Sequence, residues 1–332
     1  MSETPRNVER KSLDQDQFLT VLSREDALSR FNEAMGAFEA KTEERPLHEA
    51  LGFALARDVV APLDVPPFDR ANVDGFAVRS ADVASASESV AIRLMLNDEV
   101  IACGVVPRLP VRSGTATAIA TGGPVPRGAD AIVMIEYTEA TGSDAIEVRR
   151  AATPGQFISY AGSDIARGEA LLRAGTLIGS REIGMLAACG IAHVAVVCKP
   201  RVAVLSTGDE LVQPGGALPP AAIYDSNGAI IVAAVIENGG DATFLGAFPD
   251  DEQVLEAALR DAVAAHDMVI LSGGTSKGAG DVSHRSIGRL GKPGIVAHGV
   301  ALKPGKPLCL AVCDGKPVVI LPGFPTSAMF TF

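Results

Sequence analysis

From residue 199 onward the chain alternates buried strand patterns with helical ones, and no other feature constrains its fold as tightly. Residues 202–206 read as a buried strand and 228–237 as a helix stopped by Asn238-Gly239-Gly240. A strand over 243–248, an amphipathic helix over 251–265 and another buried strand over 268–271 follow. Segments 308–312 and 318–321 flank an Asp314-Gly315 turn. This order predicts a mostly parallel sheet covered on both faces, because parallel strands need crossovers that lay helices on the sheet. Ligands of such sheets sit beyond the carboxyl ends of the strands.

Upstream the pattern differs. Residues 61–150 are dominated by Pro, Gly and short β-type runs (75–79, 90–96, 118–121, 131–136, 145–148), which read as a small β-rich unit. A helix is expected from Ser23, with Asp26 as its capping-box-like partner and Leu28, Phe31, Met35 and Phe38 as its apolar stripe. A second short helix is expected over 47–55. A glycine-punctuated link over 151–185 then leads to a helix over 181–188 with Ser180 as N-cap. Residues 1–20 read as a disordered tail. A length of 332 residues suits two or three domains.

Charge narrows the function classes. The net charge is -11 and the pI about 5.0, which argues against a nucleic-acid partner, since phosphate-backbone binding needs clustered Lys and Arg. A single small anion needs only a few local donors. Cys103, Cys189, Cys198, Cys309 and Cys313 show neither zinc nor disulfide spacing and read as free, largely buried thiols of a reducing cytoplasm. Cys309 and Cys313 lie four apart in a strand-like run and so share a face. The first 17 residues are polar and charged rather than a signal peptide, and no apolar run is long enough to span a membrane.

Four strand ends in the α/β region carry candidate chemistry. In Leu205-Ser206-Thr207-Gly208-Asp209-Glu210-Leu211, a hydrophobic strand runs into small residues and two carboxylates. This is either a charged first helical turn or a carboxylate pair for a metal or ribose hydroxyls. Leu271-Ser272-Gly273-Gly274-Thr275-Ser276-Lys277-Gly278-Ala279-Gly280-Asp281 has glycines that let backbone N–H groups approach a phosphate, and a lysine that adds charge. It matches neither the P-loop nor the dinucleotide fingerprint. Leu302-Lys303-Pro304-Gly305-Lys306-Pro307 is a solvated turn or an anion clamp. In Leu321-Pro322-Gly323-Phe324-Pro325-Thr326-Ser327-Ala328, a strand ends at a helix start, with Thr326 or Ser327 as N-cap or as anion contact. Ala120-Thr121-Gly122-Gly123-Pro124 is a further strand-to-turn site upstream.

Pro66-Pro67-Phe68-Asp69-Arg70-Ala71-Asn72-Val73-Asp74-Gly75-Phe76-Ala77-Val78-Arg79 stands apart from these. Its Asp-Gly step predicts a tight turn with positive φ at Gly75, projecting Asp74 from a fixed backbone. By itself Asp74 is most simply a turn residue.

Taken together and in order, the stretches 66–79, 121–136, 205–211, 223–228, 271–281, 302–307 and 321–328 resemble the molybdopterin molybdenumtransferase family (MoeA, and the gephyrin E domain). The resemblance spans residues 20–332. It implies a multidomain α/β fold: a molybdopterin-binding-type three-layer α/β/α domain over 186–332, a split α+β first domain over 21–60 and 150–185, and an inserted β-rich domain over 61–149. The implied activity is insertion of molybdenum from molybdate into adenylylated molybdopterin, with release of AMP and with Mg²⁺ as cofactor. The implied partners are a second copy of the chain and a molybdopterin adenylyltransferase.

The resemblance also implies roles. Asp74, Asp209, Asp281 and Lys303 would be catalytic, Asp74 reaching the partner subunit's site, and Asp209 and Asp281 would hold Mg²⁺. Thr121, Ser206, Thr207, Gly208, Ser272, Gly273, Gly274, Thr275, Ser276, Lys277, Lys306, Pro322, Gly323 and Ser327 would bind substrate. Three departures stand out. Ser163 occupies a position where many members have Glu, with Asp164 and Glu169 nearby. His298 and Gly299 lie where many members place a second basic residue, and His298 reads as a surface side chain. The sequence ends at Phe332, where the family continues into a small C-terminal β-barrel, so a fragment of a longer protein is expected. A non-catalytic pterin-binding or scaffold module is the alternative.

Overall fold

The computed structural model describes residues 21–273 and 280–332. The expected tail therefore lies outside the described residues, as do Gly274, Thr275, Ser276 and Lys277. Six α-helices occur among the described residues: α1 (Arg24–Met35), α2 (Ser180–Ala188), α3 (Ser226–Glu237), α4 (Glu252–Ala265), α5 (Gly280–Gly288) and α6 (Pro325–Thr331). None is long and apolar enough to cross a membrane.

The chain forms two compact units, one of residues 21–41 with 198–332 and one of Thr42–Val197. The first contains a six-stranded sheet ordered Asp241–Phe248, Arg201–Thr207, Met268–Gly273, Lys316–Leu321, Cys309–Cys313, Pro293–His298. The first four strands are parallel, and the last two are joined antiparallel at the edge. Side-chain alternation in Arg201–Thr207 explains the layering. Val202 and Val204 pack with Ile231 and Val235 of α3, while Ala203 and Leu205 pack with Leu255 and Leu259 of α4 on the opposite face. Cys309 and Cys313 are both buried on the α4 face, as their spacing predicts.

Helix α1 starts as expected, with Ser23 Oγ accepting from the Asp26 N–H at 3.0 Å. Its apolar stripe differs. Ala27 is the buried contact, whereas Leu28 is 50% and Phe38 73% exposed, Phe38 lying beyond the helix end. Leu22 pins the segment by pairing with Gly299 and Ala301, so α1 packs beside the edge strands of this sheet. The expected boundaries instead put residues 21–41 with 150–185, and 186–197 with the α/β domain.

In the second unit, a six-stranded sheet is ordered Ala131–Met134, Gly75–Val78, Thr115–Ile119, Ile92–Ile101, Ala145–Val148, Thr138–Ala140. Its two faces bury separate clusters, one around Val78, Leu94 and Ile146 and the other around Ala77, Ile101 and Ile132. Strand Thr42–Pro46 pairs with His193–Val197, and Val59–Val60 with Ala170–Leu172, enclosing Leu47, Leu55, Ile178, Leu186 and Val196. The helix expected over 47–55 is only the 3-10 turn Leu47–Glu49; Leu55 leaves it to bridge Val196. Ser180 is the first residue of α2 rather than its cap. The cap position is Gly179, whose N–H is bound by Glu182 Oε2 at 2.9 Å.

Candidate functional site

Parallel register brings three of the four strand-end candidates of the α/β unit together, while the Lys303–Lys306 turn joins the antiparallel edge strands. Ser206 lies opposite Ser272 and Thr207 opposite Gly273, while Ser272 lies opposite Leu321, whose strand continues into Pro322 and Gly323. Period-two alternation puts Ser206 and Ser272 on the α3 face, following Val204 and Ile270. There Asn227, the second residue of α3, donates from Nδ2 to Ser272 Oγ at 2.8 Å and to the Gly323 carbonyl at 2.7 Å. One buried amide thus ties together two strand ends and a helix start. Gly273 is required here: its φ is +97°, and a Cβ would lie 2.4 Å from the Thr207 carbonyl oxygen.

Asn227 and Asp225 are functional candidates that motif reading missed, although both lie in the stretch 223–228. Asp225 caps α3, accepting from the Gly228 N–H at 2.9 Å with Oδ1. Its Oδ2, Asn227 Oδ1 and Ser206 Oγ are buried with no hydrogen-bond partner among the described residues. Buried polar atoms are almost always paired, so these three atoms are open to bonding by groups other than the described residues. The available signal was Asp-Ser-Asn at the head of an apolar helix, an N-cap pattern.

The Thr207–Asp209 turn is held by a relay. Thr207 Oγ1 donates to Asp250 Oδ1 at 2.7 Å, and the Asp250 N–H donates to Asp209 Oδ1 at 3.2 Å. Asp209 and Glu210 form a turn into the strand Leu211–Val212, so the helical alternative is excluded. Asp281 lies in α5, and its side chain is outside the described residues. Lys303 and Lys306 are exposed in a turn closed by the Val300 N–H to the Lys306 carbonyl at 2.9 Å, and neither forms an ion pair among the described residues. Ser327 and Thr326 are inside α6. The N-cap is Phe324, which contributes no side-chain bond, so the capping role expected of Thr326 or Ser327 is absent.

His298 is not a free surface side chain. It is half-buried, with its ring centroid 4.4 Å from that of His284 on α5. Burial, with the neighbouring His284, pushes it down to about 4, leaving it neutral at pH 7.

Asp74 and Thr121 lie in the other unit and meet there. Asp74 Oδ1 accepts from the Thr121 N–H at 2.7 Å and from its hydroxyl at 2.9 Å. These bonds hold the exposed carboxyl below its ordinary value. The expected positive φ at Gly75 is not found. Gly75 opens the strand Gly75–Val78, and its lack of a side chain is needed for close approach, since a Cβ would lie 1.9 Å from the Val133 carbonyl oxygen. Asp164, beside Ser163, lies 3.6 Å from the Arg70 guanidinium, and Glu169 accepts from the Ala166 N–H at 3.2 Å.

Comparison with known proteins agrees with this architecture. The model of the MoeA N-terminal region (domains I and II) matches residues 22–190, and that of a probable molybdopterin binding domain matches 203–332. Molybdopterin molybdenumtransferase 2 of Mycobacterium tuberculosis is 39% identical over 292 residues, covering 86% of this chain and 71% of that protein. The molybdopterin molybdenumtransferase of Bacillus subtilis is 34% identical over 297 residues, covering 89% and 69%. The solved structure of the MoeA molybdopterin biosynthesis protein of Pyrococcus horikosii superposes with a TM-score of 0.84 at 39% identity, covering 94% of this chain and 77% of that one. With strand-end geometry and sequence likeness extending over both units, the chain belongs to the molybdopterin molybdenumtransferase (MoeA) family of molybdenum cofactor biosynthesis enzymes.

Proposed function

We propose that this chain inserts molybdenum from molybdate into adenylylated molybdopterin and releases AMP. The observation that carries the reading is the set of hydroxyl and glycine residues gathered at three parallel strand ends, two of them tied by Asn227. Such an array suits phosphate and oxyanion groups through short polar contacts and close backbone approach. Lys303 and Lys306, with Lys277, supply positive charge, and Asp74 supplies a carboxylate that Thr121 orients. In this reading the protein works as a homodimer, Asp74 serves the second copy, and an adenylyltransferase delivers the substrate. Catalysis is electrostatic and positional, without a covalent enzyme intermediate.

Mg²⁺ fits the donor set. Asp209 is an exposed oxygen ligand whose Oδ1 is fixed by the Asp250 N–H, and Mg²⁺ typically takes one or two carboxylates together with substrate phosphates. Asp209, with Asp281, would hold it, and its charge would neutralise the adenylyl phosphate.

The test is anaerobic incubation of the protein with adenylylated molybdopterin, Mg²⁺ and molybdate. AMP release with molybdenum retained on the pterin is expected. Tight pterin binding without AMP release at any molybdate concentration would replace this reading with that of a non-catalytic pterin-binding module.

A further inference from the structure

We propose that Phe324 is the platform on which the pterin ring of the substrate stacks, an inference that rests on the functional reading above. Phe324 lies one residue beyond Gly323, past the end of the strand Lys316–Leu321, and is 78% exposed. A single exposed apolar residue is ordinary on a protein surface. Phe324 differs in what it displaces and in how firmly it is held.

It occupies the N-cap of α6, a position that favours Ser, Thr, Asp or Asn, and it makes no capping bond. It is absent from the core clusters, whereas Ala328 of the same helix is buried. Among the described residues, neither capping nor core packing accounts for an aromatic ring there. The backbone on both sides is rigid. Pro322 is buried, the Gly323 carbonyl is bound by Asn227 at 2.7 Å, and Pro325 opens the helix. The backbone that carries the ring is therefore held on both sides. Gly323 also lies against Gly273: a Cβ placed on it would be 3.6 Å from the Gly273 Cα. Phe324 thus borders the strand-end array. An apolar ring beside hydroxyl and glycine groups suits a ligand with a flat heterocycle and an anionic tail.

Calorimetry under anaerobic conditions tests this with molybdopterin, with unsubstituted pterin and with AMP. Stacking on an aromatic side chain predicts that Phe324→Ala weakens binding of both pterins by about 5- to 150-fold and leaves AMP binding unchanged. Phe324→Trp is expected to stay within about threefold of wild type, and Phe324→Leu, apolar but without a π face, to bind like the alanine variant. An unchanged Kd for molybdopterin in Phe324→Ala, beside normal binding by the wild type, overturns the platform alone. A loss confined to AMP overturns the assignment to the pterin. Failure of the wild type to bind molybdopterin removes the functional reading and the platform with it.

Discussion

Asp74 Oδ1 receives both the backbone N–H and the hydroxyl of Thr121, at 2.7 and 2.9 Å. The carboxylate is exposed yet fixed, and both bonds favour its charged form. Thr121 therefore directs both of its donors to Asp74, while its hydroxyl oxygen keeps its acceptor lone pairs.

Because Thr121 lowers the Asp74 pKa, the carboxylate stays charged as pH falls until that lowered value is reached. Thr121→Val removes one of the two bonds, so the acid limb of the pH–rate profile should move to higher pH, while Thr121→Ser keeps the wild-type profile. Asp74→Ala should retain fold and pterin affinity and lose turnover by on the order of a hundredfold. An unchanged rate for Asp74→Ala returns the residue to a purely structural role.

Asn227→Ala should destabilise the protein by about 1–3 kcal/mol, since it leaves Ser272 Oγ and the Gly323 carbonyl without their donor at a site only 6% exposed. Urea unfolding measures this, and pterin affinity should fall with it as the Gly323 turn loosens.

Gly75→Ala should cost about 3 kcal/mol through overpacking, because a Cβ placed 1.9 Å from the Val133 carbonyl forces the two strands apart. A variant as stable as wild type in thermal melts would contradict the close approach.

Asp267 accepts from the Arg201 N–H at 3.0 Å and from Nε at 3.2 Å, and these bonds hold its carboxyl well below the ordinary range. A lowered folded pKa means stability that is present above about pH 3.9 and lost as pH falls toward the lowered value. Asp267→Asn should therefore lose about 1–2 kcal/mol at pH 7, and the gap to wild type should close progressively below pH 4. A gap independent of pH would sink this account.

Thiol labelling at pH 8 should modify Cys103 and spare Cys309 and Cys313. Burial pushes the last two up to about 12 and about 11, so their thiolates are scarce as well as inaccessible, whereas Cys103 is exposed. Mass spectrometry of the native protein after brief alkylation reads the outcome.

Periodic and local features are readable in the order of residues alone. Val202 to Leu205 form an unbroken apolar run, and the helices α3 and α4 flanking its neighbours have apolar faces, so the layered α/β domain was legible before any coordinates. Ser23 announced its helix because a cap is a contact within three residues. The serines and glycines at the strand ends were legible for the same reason, as each ends a readable strand. Pairings between distant segments come from the folded chain. It joined Asp74 to Thr121 across 47 residues, Asn227 to Gly323 across 96, and Gly75 to the Val133 carbonyl of a neighbouring strand. Local spacing carries no record of such partners. A hairpin glycine and a strand glycine pressed by another backbone have the same one-letter code, and only the packed sheet distinguishes the need for positive φ from the need for space.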